Sequence, residues 1–377
     1  MRSVRTPACR LVYEGRFLFM SHYVLNCSRI GVTGGLRHFS DQIIACLIAA
    51  GHSVEAVLPE SIAAPADVRK IATPAYLGSS SGVSMLRPIA WLAYGRFRFP
   101  VSRAERILCT THHVLPRHAH QIVTVHDLRP YFYPDSRVQS FYFHHLLPQA
   151  LKRCEGVLTV SETSRQMLMD IYGLEGDKVR VVPNAVVVCS SPRLESGVQS
   201  PNRTELEYLL MVGASWEHKN AEELLHMHRH WAMRFKLKIV AGAGAYLSKL
   251  ERLAEELGIR DKIEFLTDVP DDRLQSLYAE TAALVYPSKL EGFGLPPLEA
   301  MAHGRPVIVS DIPIFRELYG SFPYFVRLND ENSWGEAFRQ LQEDDPADRE
   351  QRIAHAKSFT INAMGSALQS ALNHFWG

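Results

Sequence analysis

The stretch Pro287-Ser288-Lys289-Leu290-Glu291-Gly292-Phe293-Gly294-Leu295-Pro296-Pro297-Leu298-Glu299-Ala300-Met301 decides how this chain is read. It follows an apolar run, Ala282 to Tyr286, of the kind that forms a buried parallel strand. The chain then breaks at a glycine-rich turn and restarts as a short helix expected around Pro297 to Ala302. Two glycines let backbone amides come close to an anion, and a helix beginning there turns its positive end toward the same place. Glu291 falls on the loop and Glu299 about one turn into the helix, so both carboxylates can flank one ligand. Amides for a pyrophosphate and acids for sugar and ribose hydroxyls suit a nucleotide-sugar.

The same residues resemble the signature of family 4 retaining glycosyltransferases of the GT-B fold. The shared pattern is Pro-Ser-x-x-Glu-Gly-Phe-Gly-Leu-Pro-x-Leu-Glu-Ala-Met-Ala-x-Gly-x-Pro-Val-Ile, with its two glutamates at Glu291 and Glu299. It continues through His303-Gly304-Arg305-Pro306-Val307-Ile308 to Asp311 and Glu317. The resemblance implies two Rossmann-like, doubly wound α/β domains facing a cleft. It assigns Glu299 to the ribose and Glu291 to the donor sugar, with Gly292, Phe293, Gly294 and Leu295 lining the phosphates.

Other stretches extend the likeness. Gly213-Ala214-Ser215-Trp216-Glu217-His218-Lys219-Asn220 follows an expected strand, Tyr208 to Val212, and puts a lysine in the crevice where parallel sheets bind ligands. It resembles the family's Val-Gly-x-x-x-x-Arg-Lys-Asn element, whose basic residues grip the donor pyrophosphate. Here His218 stands in the arginine position, and His is only partly charged at neutral pH, so the pyrophosphate is expected to rest mainly on Lys219. Gly242-Ala243-Gly244 looks at first like a dinucleotide fingerprint, but the third glycine would fall at Leu247 and the NAD reading fails. The resemblance makes Gly242 and Gly244 a loop beside the nucleotide, and Leu266 to Val269 the loop that meets the base. Thr267 replaces a frequent glycine there, so the base stays unread.

The first half carries weaker signals. Gly34-Gly35 stands between a strand and a helix, where amides can approach a phosphate or sugar. Val125-His126-Asp127-Leu128 resembles the family's His-Asp element on the sugar and acceptor side, with Asp127 orienting the loop. Ser161 in Val160-Ser161-Glu162-Thr163-Ser164-Arg165 is expected to cap a helix. Pro183-Asn184-Ala185-Val186 has Ala185 where the family has glycine, which puts a tight turn there in question.

Length and composition set the frame. A chain of 377 residues with 46% hydrophobic and 21% charged residues fits a globular protein of two domains. The expected division is a tail 1–15, an acceptor-side domain 16–188, a linker 189–203, a nucleotide-sugar domain 204–360, and a helix 361–377 packing back on the first domain. Expected strands are Arg16 to Tyr23, Ser53 to Leu58, Ile107 to Thr110, Ile122 to Val125, Val157 to Val160 and Val179 to Val182. Helices are expected at 138–153 and 162–172. The second half adds strands Leu237 to Ala241 and Ile263 to Leu266. Its helices are expected at Ala221 to Met233, Leu247 to Leu257, Asp272 to Glu280, Glu331 to Glu343 and Ile361 to Trp376. Six scattered cysteines without a C-x-x-C pair read as reduced thiols of a cytoplasmic protein. The first twenty residues lack the apolar core of a signal peptide, and no run is long enough to span a bilayer.

Charge is divided: residues 1–190 hold 21 Lys and Arg against 13 Asp and Glu, and residues 191–377 hold 20 against 27. A basic first half suits an anionic partner. From Leu86 to Leu108, five arginines alternate with Trp91, Tyr94, Phe97 and Phe99, a composition that fits a membrane surface, a sugar platform or a plain connector. Nucleic acid is not expected, since the whole chain is nearly neutral. The pairs His112-His113 and His144-His145 and the set His226, His228 and His230 lack the spacing of a zinc site, so no metal is expected. The expected activity is transfer of a hexose, mannose favoured, from a nucleoside-diphosphate sugar to a glycan acceptor, with retention. A polyprenyl-diphosphate-linked acceptor at the inner membrane face is the favoured setting, in polysaccharide or lipopolysaccharide assembly. Glu291, Lys219 and His126 are the expected catalytic residues. The alternatives are a non-catalytic nucleotide-sugar- or glycan-binding subunit, and a nucleotide-sugar epimerase or a phosphorylase on the same fold.

Overall fold

The computed structural model describes residues 21–31, 34–74, 77, 87–97, 99, 101, 105–116, 118, 120–186, 207–345 and 347–377. The expected tail and linker lie outside them, as do residues 16–20 of the expected first strand. The chain forms two compact units. The first holds the described residues up to Val160, Arg165–Ala185 and Ile361–Gly377; the second holds Ser161–Ser164 and the described residues of 186–360.

In the first unit the strands are β1 (His22–Asn26), β2 (Ser53–Pro59), β3 (Arg69–Thr73), β4 (Ile107–Cys109), β5 (Gln121–Thr124), β6 (Gly156–Thr159) and β7 (Val179–Val181). Their order in the sheet is β3-β2-β1-β4-β5-β6-β7, every pair parallel. The strands read as apolar runs because helices cover both faces of a parallel sheet. Val24, Leu25, Ile107, Val123 and Val157 are all fully buried. The helix Ile361–Trp376 belongs to this unit. It buries Met364, Leu368, Ala371 and Leu372, and stacks Trp376 on Tyr23 with ring centroids 5.8 Å apart.

In the second unit β8 (Tyr208–Val212), β9 (Lys236–Val240), β10 (Ile263–Leu266), β11 (Ala283–Tyr286), β12 (Val307–Ser310) and β13 (Tyr324–Val326) follow. The order β10-β9-β8-β11-β12-β13 is again all parallel. Both sheets therefore reverse direction of growth beside their first strand: at β1/β4 in one unit and at β8/β11 in the other. In open parallel sheets that reversal opens a crevice at the carboxyl ends of the strands.

Several elements differ from the expectation. The first strand starts at His22, six residues beyond Arg16. The helix expected at Ala221 to Met233 stops at His226 and gives way to a short tight turn, His228–His230. Side chains take the carbonyls that a longer helix needs: Trp231 Nε1 donates to Leu224 O (3.0 Å), and His228 Nδ1 lies 3.1 Å from Leu225 O. The helical stretch near 138–153 widens to a π-helical segment at Tyr142–Leu146. Pro148 stands two residues beyond it and has no N–H to return to the preceding turn. The helices Arg87–Phe97, Pro313–Tyr319 and Asp348–Lys357 and the strands β3 and β13 were not anticipated. Both strands are sheet edges with few buried residues, so they carry little apolar signal.

Candidate active site

The second unit gathers its candidate residues at the β8/β11 reversal. Lys219 ends a short turn after β8, and Glu291 follows β11 by five residues. Lys219 Nζ donates to Glu291 Oε1 and to the Tyr286 hydroxyl, both at 2.6 Å, and also faces the Tyr286 ring at 4.9 Å. The lysine and glutamate side chains are 14% and 11% exposed, so the pair is mostly withdrawn from water yet open on one side. Burial pushes the Glu291 carboxyl upward, but the Lys219 charge and hydrogen bond, the Ser288 hydroxyl and a smaller pull from His218 outweigh it. The net effect lowers it below the ordinary carboxylate value. Tyr286 moves the other way, raised by burial and by the Glu291 charge.

His218 is buried, and its carbonyl accepts from Lys289 N (2.8 Å), which joins the loops after β8 and β11. Asn220 adopts a left-handed backbone (φ 59°) and turns its side-chain amide to Glu223. Gly213 leaves β8 at φ 78°, and its N–H donates to Val240 O at the end of β9. Gly242 N donates to Ser215 Oγ (2.7 Å), so the glycine loop after β9 is tied to the loop carrying Lys219. Gly244 opens the helix Ala245–Glu256, with open space where a side chain would stand. Val269 is half-buried on the loop after β10, next to the left-handed Asp268.

Gly294 precedes the helix Leu295–Ala302 at φ 95°, and a Cβ there would collide with the Tyr319 hydroxyl and stand 2.9 Å from the Phe315 ring. Glycine is required at this turn. The Tyr319 hydroxyl donates to Gly294 O and holds the turn from below. Phe293 is buried, edge-on to Phe359, while Leu295 and Glu299 are half-buried. Glu299 acts on buried Tyr278, whose hydroxyl is raised by burial first and by that carboxylate next. Gly292 O accepts from Ser161 Oγ (2.8 Å), and Ser161 Oγ also accepts from Ser164 N (3.1 Å) as a helix cap.

The first unit has its own cluster at the β1/β4 reversal. Gly34 (φ 100°) and Gly35 stand at the start of the helix Gly35–Ala49 with open space around both. His126, just past β5, is 2.9 Å from Thr110 O through Nε2 and sits edge-on to Phe39 at 4.6 Å. Burial lowers its basicity, against the opposing pull of the Thr110 carbonyl and Asp127. Asp127 Oδ1 accepts from Arg129 N (2.8 Å), the loop-orienting bond expected of it. His112 and His113 stack at 4.3 Å beneath this edge. Ala185 keeps a negative φ, so no glycine is needed there.

Two family models cover most of the chain: glycosyl transferases group 1 over residues 193–359, and glycosyltransferase family 4 over residues 33–188. The O-antigen chain mannosyltransferase RfbU of Salmonella typhimurium is 35% identical over 329 residues, 85% of this chain and 91% of that one. The chain belongs to glycosyltransferase family 4. Another relative of this glycosyltransferase, the O-antigen chain mannosyltransferase B of Escherichia coli, is 30% identical over 239 residues, 59% of this chain and 61% of its own. Among solved structures, WaaG, a glycosyltransferase involved in lipopolysaccharide biosynthesis, aligns with TM-score 0.69 at 17% identity over 94% of this chain and all of that one. At that identity the likeness speaks for the fold alone, which is GT-B.

Sequence reasoning passed over three groups in this glycosyltransferase. In the sequence Tyr286 is only the last residue of an expected strand, Ser288 one position of the shared motif, and Glu223 an acid within an expected helix. An aromatic hydroxyl at the carboxyl end of an otherwise aliphatic strand was the available signal for Tyr286. Among the described residues no group of three or more His, Cys, Asp or Glu stands together as a metal site. No described helix is long and apolar enough to cross a membrane. In the basic aromatic stretch, Trp91 and Tyr94 are core residues, while Arg96 and Phe97 are exposed.

Proposed function

We propose that this glycosyltransferase is a retaining hexosyltransferase that moves mannose from a nucleoside-diphosphate donor to a glycan acceptor in O-antigen-type polysaccharide assembly. The observation that carries the reading is the Lys219–Glu291 pair at the β8/β11 reversal, one charge of each sign, with Glu291 on the loop that leads through Gly294 into a helix N-terminus. Lys219 has three N–H donors and uses two, on Glu291 and Tyr286. The third meets a diphosphate oxygen, and the amides after Gly294 take the remaining negative charge that grows as the sugar leaves. Glu291, kept ionised by Lys219, stands ready to stabilise positive charge at the anomeric carbon. Glu299 holds the ribose, Gly213, Gly242 and Gly244 give the nucleotide close backbone approach, and backbone atoms near Val269 meet the base. In the first unit, Gly34, Gly35 and His126 serve the sugar and the acceptor. His126, its basicity lowered by burial, acts as a neutral hydrogen-bonding group. Mannose is favoured because the two relatives described above are mannosyltransferases. Family membership supports retention, with the leaving phosphate taking the proton of the attacking hydroxyl.

The test is calorimetric binding of GDP, UDP and their sugars to wild type, Lys219→Ala and Glu291→Gln. Lys219→Ala is expected to weaken the diphosphate by about tenfold or more, the scale of a charge-assisted hydrogen bond. Glu291→Gln removes a repelling charge and is expected to bind the diphosphate as well as wild type, with turnover lower by on the order of a hundredfold. Failure of every nucleotide to bind folded wild type sinks the transferase reading. A changed nucleotide-sugar released without acceptor points to the epimerase.

The acceptor is proposed to be lipid-linked, reached through the basic first half at a membrane surface. The exposed Arg96–Phe97 pair, with the guanidinium 5.4 Å from the ring, supports this. Cosedimentation with vesicles of anionic lipid checks it: Phe97→Ser is expected to reduce binding, and equal recovery with neutral vesicles speaks against the contact.

A further inference from the structure

Glu223 is a buried carboxylate that the reading above leaves without a task, and three N–H donors converge on it. Its Oε2 accepts from Asn220 Nδ2 at 2.6 Å. Its Oε1 accepts from Asn329 N at 2.6 Å and from Trp334 Nε1 at 2.9 Å. Among the described residues only Asn220 (φ 59°), Asp268 (φ 51°) and Asn329 (φ 61°) hold a positive φ without being glycine. One carboxylate thus ties two of these three. A left-handed backbone is uphill for a residue with a Cβ, less so for Asn and Asp than for others, and surrounding hydrogen bonds help to fix it. Asn220 N donates to Glu217 O (3.0 Å), closing the turn that carries Lys219. The conformation of Asn220 therefore decides where the Lys219 side chain starts.

We propose that Glu223 is a positioning residue for the donor diphosphate: by holding Asn220 left-handed and anchoring it to Asn329 and Trp334, it aims Lys219 at Glu291 and Tyr286. It touches no substrate. The inference rests on the reading that Lys219 meets a diphosphate, and it assigns the Asn220 amide to Glu223 rather than to the donor.

The test measures GDP and UDP affinity by calorimetry alongside the thermal midpoint. Glu223→Gln replaces one acceptor oxygen with an N–H₂ that faces the converging donors, and about a tenfold loss of affinity is expected. In a Lys219→Ala background the same substitution is expected to cost no further affinity, a coupling that a purely structural anchor does not produce. Asn220→Ala and Asn220→Gly keep Glu223 paired with Asn329 and Trp334, and serve if Glu223→Gln fails to fold. Alanine resists the left-handed turn and is expected to lose affinity, whereas glycine adopts it freely and is expected to stay within about twofold of wild type. Equal losses for the alanine and glycine variants overturn the proposal, because they mean that the Asn220 amide itself binds donor. Normal affinity in Glu223→Gln with loss in Lys219→Ala overturns it while leaving the proposed function standing. If wild type binds neither nucleotide, both fall.

Discussion

The environment of His112 sharply changes its chemistry. Its ring stacks on His113 and packs edge-on to Phe143 at 4.8 Å, and burial, aided by His126, Arg29 and Arg129, pushes it down from 6.5 to about 3. The unfolded chain therefore takes up a proton near pH 6.5 that the folded chain refuses until about pH 3. Between those values the unfolded state binds more protons, so stability falls as pH falls. Glu291 adds to the same trend lower down. Its carboxyl is depressed by Lys219, so its contribution is present above the unfolded carboxylate value and is lost as pH drops through the folded one. His112→Phe is expected to flatten the loss of stability between about pH 6 and pH 4, read by urea unfolding at each pH. An unchanged slope means that the ring titrates in the folded chain as it does in the unfolded one. None of this was legible in the sequence, where the histidine pairs carried no pattern; burial, the cause of the shift, is a property of the fold.

Among the elements, the helix Leu295–Ala302 shows how a turn is set by what lies under it. Its sequence announces a start, with Pro296 and Pro297 in the first turn and glycine before it. Why the glycine is obligatory appears only from Phe315 and Tyr319, on the helix Pro313–Tyr319 that sequence patterns missed. Gly294→Ala is expected to lower stability by about 1–3 kcal/mol through backbone strain and collision, and to weaken nucleotide binding as the amides shift. Wild-type unfolding and affinity in that variant would show that the turn relaxes without consequence. The helix Ile361–Trp376 follows the same logic. Gly156 in β6 leaves room for the Phe375 ring, since a Cβ there would stand 2.5 Å from it. His52 meets Gln369 at 3.1 Å, and Cys46 Sγ lies 3.6 Å from Ile361 O. The periodicity of this helix was plain in the chain, but its membership in the first unit depends on these partners, all distant in sequence.

At the scale of the whole molecule, each unit has its own buried core. Val24, Trp91, Ile107 and Phe143 belong to one, and Met211, Leu237, Val285 and Trp334 to the other. The residues proposed to hold a nucleoside diphosphate at Lys219 belong to the second unit, so the expected stabilisation, about 2.7 kcal/mol at a hundredfold excess over Kd, should be greatest there. Hydrogen exchange with and without GDP or UDP is expected to slow in β8, β11 and the helix Leu295–Ala302 more than in β2 and β3. Equal slowing throughout means that the ligand binds elsewhere or acts on both units alike. The sequence by itself determined the alternation of strand and helix, two units of one design, and the glycine-and-acid turn after β11. These depend on local spacing and on apolar runs that a parallel sheet demands. Only the tertiary structure decided the pairings: Lys219 with Glu291 and Tyr286, His126 with Thr110, and Glu223 with Asn220, Asn329 and Trp334. It also decided the edge strands β3 and β13, which borrow their order from a neighbour rather than from their own residues. The physical reason, the local Asn220–Glu223 contact apart, is that a pairing between residues distant in sequence is specified by where the sheet places them, and no local pattern records that.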